Sequence, residues 1–236
     1  MTSPSKAEGA TSPAPGIRPR RPRGSLTVES ILEAAEQVAS AGFASLSVRA
    51  VASQLQASPM ALYRYFATMD ELVDALLDRV LGRFEPAPPT DDWLADLRTF
   101  ATNHRRLLTQ HPWAISALFA HPNPGLNAVR IGENALRILR DGAIVGDPAV
   151  ATFSGILSLN YGWSAFATSR DDASHAGASG PTMRNALASL PPDHYPLTVE
   201  VADQMASYGS DEHYDRVLGQ LLAGVRADGT HSASDS

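Results

Sequence analysis

The sequence predicts an all-α protein built from two groups of helices. Apolar residues recur at spacings of three and four along most of the chain after Gly24, which is the pattern of amphipathic helices. No stretch shows the strict alternation of apolar and polar residues that a half-buried strand requires. The proline-rich stretch at residues 85–90 separates the two groups. We therefore expect an arm at residues 1–24, a first domain at 25–84 and a second domain at 85–230.

The composition excludes several kinds of site. The chain has no cysteine, so disulfides, thiolate zinc sites and cysteine nucleophiles are excluded, and a reducing cytoplasm is the expected location. The seven histidines show no spacing of two histidines and a carboxylate on one helix, so we expect no metal site and no cofactor. No apolar run reaches the roughly 18–20 residues that a membrane span needs. Residues 1–16 lack the apolar core of a secretory signal.

Charge is distributed unevenly along a chain whose net charge is −6. Residues 17–66 carry six arginines and three glutamates, whereas the chain from residue 85 onward carries ten arginines and seventeen acidic side chains. Such asymmetry indicates that one segment faces a polyanion while the other keeps the molecule soluble. Four of the arginines lie between Arg18 and Arg23, in a segment that is either a polyanion-binding arm or a solvated tail.

Four helices are predicted in the first group, each from its apolar stripe and from the cap residue that precedes it. The predicted N-caps include Thr27, Ser47 and Ser58, and Pro59 occupies the first position of the third helix, where no amide donor is needed. The predicted spans are 28–39, 48–55, 59–66 and 70–82.

Six helices are predicted in the second group, over residues 91–110, 112–120, 124–142, 147–171, 195–208 and 211–227. The span 147–171 is apolar or small nearly all round, which indicates a helix that is buried on every side. In a domain this small, we expect a second copy of the chain to cover part of it. Residues 171–180 are polar and rich in Gly, Ala and Ser, which predicts a mobile loop.

Residues 47–66 carry the most informative pattern, two short helices joined by a tight turn. This is the pattern of a helix-turn-helix, whose second helix enters the major groove of DNA. Tyr63 and Tyr65 can donate hydroxyls to phosphates, and the small or apolar side chains before them suit base edges. The predicted DNA-contacting residues are Ser47, Val48, Arg49, Ser58, Pro59, Met60, Ala61, Tyr63, Arg64 and Tyr65. The plainer alternative is a pair of ordinary surface helices in an α-bundle.

This segment resembles the signature of the tetracycline-repressor (TetR) family. Phe43-Ala-Ser-Leu-Ser-Val-Arg-Ala-Val-Ala, then Ser58-Pro-Met-Ala-Leu-Tyr-Arg-Tyr-Phe and Glu71-Leu72 are similar to that signature in order and spacing over residues 27–77. The chain from Asp92 onward is more loosely similar to the all-helical C-terminal domain of the tetracycline-repressor branch. The matching pieces are Trp93, the His111-Pro-Trp turn and the helix that starts near Tyr214.

The resemblance implies a homodimeric transcriptional repressor that binds a pseudo-palindromic double-stranded DNA operator. It also implies that a small molecule binds the C-terminal domain and favours a state in which the two recognition helices are wrongly spaced for the operator. The helix over 70–82, which joins the two domains, would transmit that change.

Two residues depart from the family pattern. Gln56 stands in the turn of the helix-turn-helix where the family usually has glycine, because this turn needs a positive φ. We expect a cost of about 1 kcal/mol there. Met69 stands where the family usually has a phosphate-binding lysine, so one expected contact is missing. The arginine-rich arm could replace that contact by reaching the adjacent groove or backbone.

Aromatic and polar side chains of the second domain are candidates for the ligand cavity. His104 lies one turn after Phe100, Asn160 interrupts an apolar helix, and the resemblance implies a polar pocket residue near Glu133. Aromatic residues at helical spacing more often form part of a plain core. The expected ligand is a small hydrophobic or amphipathic molecule. The predicted ligand-binding residues are Phe100, His104, Trp113, Ala117, His121, Glu133, Asn160 and Trp163.

A competing interpretation is a small-molecule-binding protein or an enzyme that uses the same aromatic cavity. An enzyme would need a general base, and His104 with Glu133 is the one pair that the sequence offers. The sequence has neither a glycine-rich phosphate loop nor a nucleophile elbow. It therefore favours binding over catalysis.

Overall fold

The computed structural model describes residues 26–121, 125–175 and 180–232, which contain α-helices and no strand. The arginine-rich arm lies outside the described residues. The helices of the first group are α1 (Val28–Ala39), α2 (Val48–Gln54), α3 (Pro59–Leu62) and α4 (Met69–Leu81). Those of the second group are α5 (Trp93–Gln110), α6 (Pro112–Ala120), α7 (Leu126–Asp141), α8 (Asp147–His175), α9 (Gly180–Ala188), α10 (Pro196–Glu200), α11 (Ala202–Ala206) and α12 (Asp211–Ser232). The predicted all-α class is confirmed.

The first helices begin where side-chain caps satisfy their free amides. Thr27 and Ser30 form a reciprocal capping box at the start of α1, with N···O distances of 3.0 and 3.1 Å. The Ser47 hydroxyl accepts from the amide of Ala50 at the start of α2. Ser58 precedes α3 as predicted but makes no capping hydrogen bond, and Pro59 at the first helical position fixes the backbone there instead.

The turn between α2 and α3 holds Gln56 in a left-handed conformation, with φ of 54°. The predicted positive φ is therefore confirmed. The turn keeps its shape because the amide of Ala57 donates to the carbonyl of Ala52 at 2.9 Å, which closes the end of α2. A side chain with a Cβ in this region costs about 1–2 kcal/mol.

Gln56→Gly is expected to raise the free energy of unfolding by about 0.5–1 kcal/mol. Glycine removes the steric cost of a Cβ in the left-handed conformation, but the greater conformational entropy of the unfolded glycine chain offsets part of this gain in stability. Urea unfolding at one fixed chain concentration measures the change. Ser53→Gly, at an exposed position inside α2, is the matched control and should lower stability. A loss of stability in both variants would contradict the strain at Gln56.

The core of the first group joins all four helices. The side chains of Ile31, Val51, Leu62, Leu72 and Leu76 are at most 2% exposed. Each comes from the apolar stripe of its helix, and α1 packs against both α2 and α4. The short helices α2 and α3 are therefore held rigidly on a buried base while their outer faces remain in solvent.

The second group is organised around α5 and α8, which pack against each other over most of their shared length. Helix α7 packs on both of them, α6 packs on both α8 and α4, and α12 packs against α8 and α5. The buried side chains at their centre include Leu97, Leu108, Leu139, Ile156 and Leu218. This arrangement brings α4 of the first group into contact with α6 and α7 of the second.

Three predicted spans differ from the structure, which also contains one helix outside the predicted spans. Helix α3 ends at Leu62, and residues 63–65 form a turn in place of the predicted helical end. The predicted loop at 171–180 is wrong in its first half, because α8 continues to His175; no Gly or Pro interrupts residues 171–175. Helix α9 was not predicted. The predicted span 195–208 divides into α10 and α11 at Val201, whose β-branched side chain disfavours a helix.

Helix α8 is not buried on every side within one chain. Val150 is 55% and Phe166 is 46% exposed, although Ile156, Asn160 and Ser164 of the same helix are fully buried. An all-round apolar helix needs cover on all its faces, and a single chain leaves part of α8 in solvent.

Candidate functional site

The outer face of α2 and α3 presents the residues that the sequence predicted for DNA contact. Arg49, Ser58, Met60, Tyr63 and Arg64 are all exposed, with Met60 at 73% and Tyr63 at 46%. Their exposure is a consequence of the buried base below them, since Val51 and Leu62 occupy the inward positions of the same two helices. Pro59 is also exposed at the start of α3. The surface is thus small, polar and aromatic, with two guanidinium groups.

Three predicted residues of this surface have structural roles as well. Val48 and Ala61 are half-buried, and Val48 packs on the core. The Ser47 hydroxyl is occupied by the α2 cap. These side chains position the exposed ones next to them.

The Tyr65 hydroxyl has a partner inside the chain. It donates to the backbone carbonyl of Leu26 at 2.6 Å, so in this structure it is not the free phosphate donor that the sequence predicted. The bond fixes the chain just before α1, at the residue where the described part of the chain begins. Tyr65 therefore attaches the backbone just before α1 to the turn that follows α3.

A cavity of about 340 Å³ lies between α7 and α8, and its wall is mainly apolar. Leu81 at the end of α4 contributes to this wall, so the cavity touches the helix that joins the two groups. The lining residues are Leu81, His104, Leu118, Ala128, Val129, Ile131, Gly132, Glu133, Leu136, Phe153, Leu157 and Tyr161.

Two of the eight predicted ligand-binding residues, His104 and Glu133, line this cavity. Phe100 lies one layer behind, stacked on the His104 ring at a centroid distance of 6.2 Å. The Glu133 side chain is 66% exposed and lies 3.8 Å from Arg137, one turn away. His104 is therefore the polar group in the depth of the cavity, and Glu133 lies at its rim.

The other predicted ligand-binding residues lie elsewhere. Trp113 faces a separate cleft beside Phe43, and Ala117 is part of the core. His121 Nδ1 lies 2.7 Å from a carboxylate oxygen of Asp74 on α4. Trp163 donates its indole N–H to the carbonyls of Gly209 and Ser210, both at 3.1 Å.

Most of the lining was missed by sequence reasoning because its residues are ordinary aliphatic side chains. The one signal is the pair of small residues Ala128 and Gly132, one turn apart on α7. A Cβ at Gly132 would lie 3.5 Å from the Phe153 ring, so the missing side chain leaves space between α7 and α8.

A buried polar network joins α5, α8 and α12 behind the cavity. The Asn160 amide donates to the Ala101 carbonyl at 2.9 Å, and its nitrogen lies 3.0 Å from Nδ1 of His104. The Tyr214 hydroxyl donates to the Asn160 carbonyl oxygen at 2.7 Å. The Arg105 guanidinium lies 4.1 Å from the centre of the Tyr214 ring. Asn160 was predicted to contact a ligand, but in this structure its polar atoms are satisfied by the protein.

Burial governs the protonation of this network. It lowers the pKa of His104 from its ordinary 6.5 to about 4, so the ring is neutral at neutral pH. Burial also raises the pKa of Tyr214 to about 12, with the nearby Arg105 acting in the opposite direction. Among the described residues, no group of three His, Asp or Glu side chains is placed to hold a metal ion.

Comparison with known protein families decides the identity of the fold. Residues 85–228 match the tetracyclin repressor-like C-terminal domain, and residues 31–76 match the bacterial regulatory proteins of the tetR family. The chain belongs to the TetR family. It is a DNA-binding transcriptional regulator of the helix-turn-helix type, and the predicted family is confirmed.

Individual TetR-family relatives cover most of the chain. The transcriptional repressor DrrR1 of Streptomyces coeruleorubidus is 32% identical over 89% of this chain and 81% of its own length. A transcriptional regulator of Saccharopolyspora erythraea is 29% identical over 96% of this chain and 98% of its own length. The solved structure of apo ActR from Streptomyces coelicolor has a TM-score of 0.80 at 24% identity, covering 89% of this chain and all of its own. ActR in complex with actinorhodin has a TM-score of 0.78 at 25% identity, covering 87% of this chain and 99% of its own.

Helix α4 of this TetR-family chain is tied on one side to α1. Arg79 pairs with Glu29 and Glu36, and Arg83 donates to both carboxylate oxygens of Glu36 at 2.6 and 2.7 Å. Burial alone would raise the pKa of Glu36, but the hydrogen bonds and charges of Arg83, His111 and Arg79 together outweigh it, and the pKa lies below its ordinary value. His111, before α6, lies 3.1 Å from Arg83.

On its other side, α4 is tied to α7. The Asp78 carboxylate accepts from the backbone amide of Asn127 at 2.8 Å and from its side-chain amide at 2.9 Å. The side-chain amide also lies 3.0 Å from the Asp78 carbonyl oxygen. The start of α7 is therefore attached to α4 one turn before Leu81, where α4 reaches the cavity wall.

Acid should destabilise this protein through His104. The histidine binds a proton near pH 6.5 in the unfolded chain and near pH 4 in the native one. The contribution of the neutral ring to the free energy of unfolding is therefore complete above about pH 6.5 and declines as pH falls. By pH 4 the free energy of unfolding is lower by about 3 kcal/mol. Urea unfolding measures the free energy of unfolding at pH 7 and at pH 4.5. Between these two pH values it should fall by about 2–3 kcal/mol more in the native protein than in the His104→Asn variant, which has no ring to titrate. Parallel losses in both proteins would show that His104 titrates normally.

The described helices include none that is long and apolar enough to cross a membrane.

Proposed function

We propose that this chain is a homodimeric repressor whose two α2–α3 surfaces bind successive major grooves of a pseudo-palindromic operator. We further propose that a small apolar or amphipathic molecule, bound in the α7–α8 cavity, releases the repressor from the DNA. The observation that carries the proposal is the cavity between α7 and α8, whose wall includes α4, the helix that also packs on the base of the DNA-contacting surface. We propose residues 25–84 and 85–230 as the DNA-binding and the ligand-binding and dimerisation domains. A regulator of chromosomal DNA belongs in the cytoplasm.

The proposed contacts divide into two kinds. Arg49, Tyr63 and Arg64 are placed to contact phosphates, since they carry long donor side chains on the exposed face. Ser58, Met60 and Ala61 are placed at the start of α3, where a recognition helix contacts base edges. Ser47, Val48 and Pro59 support them from the helix starts. Tyr65 is proposed to act mainly by holding the base of the arm through Leu26.

The proposed dimer covers the exposed face of α8. Val150 and Phe166 leave apolar surface in solvent along that helix, and a symmetric partner would bury it. A pseudo-palindromic operator requires such a two-fold arrangement. Sedimentation at micromolar concentration tests this part, and a monomer would contradict it.

Catalysis is the less favoured alternative. The nominated base, His104, accepts a hydrogen bond from Asn160 through Nδ1 and has a pKa of about 4, which suits neither proton abstraction nor donation at neutral pH. Its nominated partner Glu133 lies at the exposed rim. Because the relatives that the chain matches are regulators, we propose that the cavity binds without converting its ligand.

The proposed function is tested with DNA from upstream of the chain's own coding region. A salt-sensitive, sequence-specific gel shift is expected, because phosphate contacts release counterions. A thermal-shift screen of small hydrophobic compounds then identifies molecules that stabilise the protein, and these should weaken the gel shift. A chain that shifts no upstream fragment at low salt would overturn the proposal.

Asp78→Ala should weaken ligand-induced release of DNA. The variant removes the carboxylate that attaches α7 to α4, so displacement of α7 by a ligand would no longer move α4. We expect at least a tenfold rise in the compound concentration that releases half of the DNA, with binding of the free protein to DNA little changed. Asn127→Ala removes the side-chain amide but keeps the backbone N–H bond to Asp78, so it should cause a smaller rise in the same direction. Full release at the native concentration in both variants would contradict this route.

A further inference from the structure

The orientation of the Asn160 amide is determined by its surroundings. The Ala101 carbonyl can only accept a hydrogen bond, so the amide atom 2.9 Å from it must be the nitrogen. The other amide atom is then the oxygen, and it accepts from the Tyr214 hydroxyl at 2.7 Å. The Ala101 carbonyl decides the orientation, because a reversed amide would place two acceptor oxygens against each other, and the Tyr214 hydroxyl can bond the oxygen that results.

This orientation determines the tautomer of His104. The Asn160 nitrogen is a donor and lies 3.0 Å from Nδ1 of His104, so Nδ1 must accept and carries no proton. The ring is almost fully buried against Phe100 and Tyr161, with no carboxylate in contact, and such burial keeps it neutral. A neutral ring without a proton on Nδ1 carries it on Nε2.

None of the described residues accepts a hydrogen bond from the Nε2–H of His104. The ring also lines the α7–α8 cavity, so this N–H is the polar group that the ring can offer to an occupant. Among the described residues, the fully enclosed side-chain N and O atoms without a partner are Arg105 Nε and Ser164 Oγ, so Nε2 of His104 is open to the cavity, where a ligand oxygen can accept from it.

We propose that His104 is a fixed, uncharged hydrogen-bond donor that selects ligands with a neutral acceptor oxygen, such as a carbonyl, on an apolar body. The proposal rests on the proposed ligand-binding function of this cavity. The apolar body follows from the aliphatic and aromatic wall. A neutral oxygen is favoured over a carboxylate because no cationic side chain among the described residues lines the cavity to offset the cost of burying an anion.

The tautomer is tested by long-range ¹H–¹⁵N spectra of the full chain labelled at histidine. The His104 resonances are assigned by their loss in His104→Asn. They should show a neutral ring with the proton on Nε2 from pH 5.5 to pH 8. A proton on Nδ1, or a ring charged at pH 5.5, would overturn the proposal.

The selectivity is tested with 9-fluorenone and fluorene, which share one flat tricyclic body and differ by a carbonyl in place of a methylene. Native protein should bind fluorenone about tenfold more tightly, and only fluorenone should shift the Nε2 resonance. His104→Asn should lose this preference, while Tyr161→Phe, which removes the neighbouring hydroxyl, should keep it. Equal affinities in native protein, or no binding of either compound, would overturn the proposal. A tenfold preference without release of upstream DNA would instead count against the proposed regulatory function.

Discussion

Arg49→Ala is expected to lower operator affinity roughly 100-fold. Arg49 is exposed at the start of α2, next to the proposed recognition helix, and each dimer would present two copies. A hydrogen bond between a charged donor and a phosphate contributes about 1.5 kcal/mol, so the loss of two removes about 3 kcal/mol of binding free energy. Titration of a fluorescent upstream duplex at constant ionic strength measures the change.

The salt dependence identifies the nature of the contact. Each phosphate contact contributes about 0.9 to the slope of log affinity against log salt concentration, so Arg49→Ala should reduce that slope by about 2 per dimer. Arg106→Ala is the matched control, because it removes an exposed arginine from α5 in the second group of helices. Equal effects of the two substitutions would reduce the role of Arg49 to its contribution to net charge.

The fold was largely predictable because local signals and tertiary packing agree in most helices. Thr27 and Ser47 cap helices where the sequence places them, and the apolar stripes form the observed core. The positive φ of Gln56 was predictable as well, since the turn requires it whichever residue stands there. The prediction failed at the end of α8, where residues 171–175 continue the helix because no Gly or Pro interrupts them, although their polar composition favours a loop.

The cavity was less predictable because polar character does not distinguish a ligand contact from a structural one. Asn160 interrupts an apolar helix, and in the structure its amide bonds to Ala101 and Tyr214. The indole N–H of Trp163, on the same helix, bonds to the Gly209 and Ser210 carbonyls. Most of the cavity wall consists of aliphatic residues that look like core in a sequence. Only the fold shows that α7 and α8 leave space between them.

Asn160→Ala is expected to lower the free energy of unfolding by about 3–5 kcal/mol. The substitution leaves the Ala101 carbonyl, Nδ1 of His104 and the Tyr214 hydroxyl without their present partner in a fully buried site. Each orphaned group costs about 1–3 kcal/mol, and the space left by the amide adds to the loss. Urea unfolding at one fixed chain concentration measures it, because the stability of a dimer depends on concentration.

Ser164→Ala is the matched control, one turn further along α8. Ser164 is as buried as Asn160, but its hydroxyl has no hydrogen-bond partner among the described residues. Removal of this hydroxyl should raise the free energy of unfolding by less than about 1 kcal/mol. The two substitutions therefore separate the hydrogen bonds of Asn160 from the mere presence of a polar group in α8. Similar losses in both variants would mean that packing, and not this network, holds α5, α8 and α12 together, and His104 would then lack the partner that fixes its tautomer.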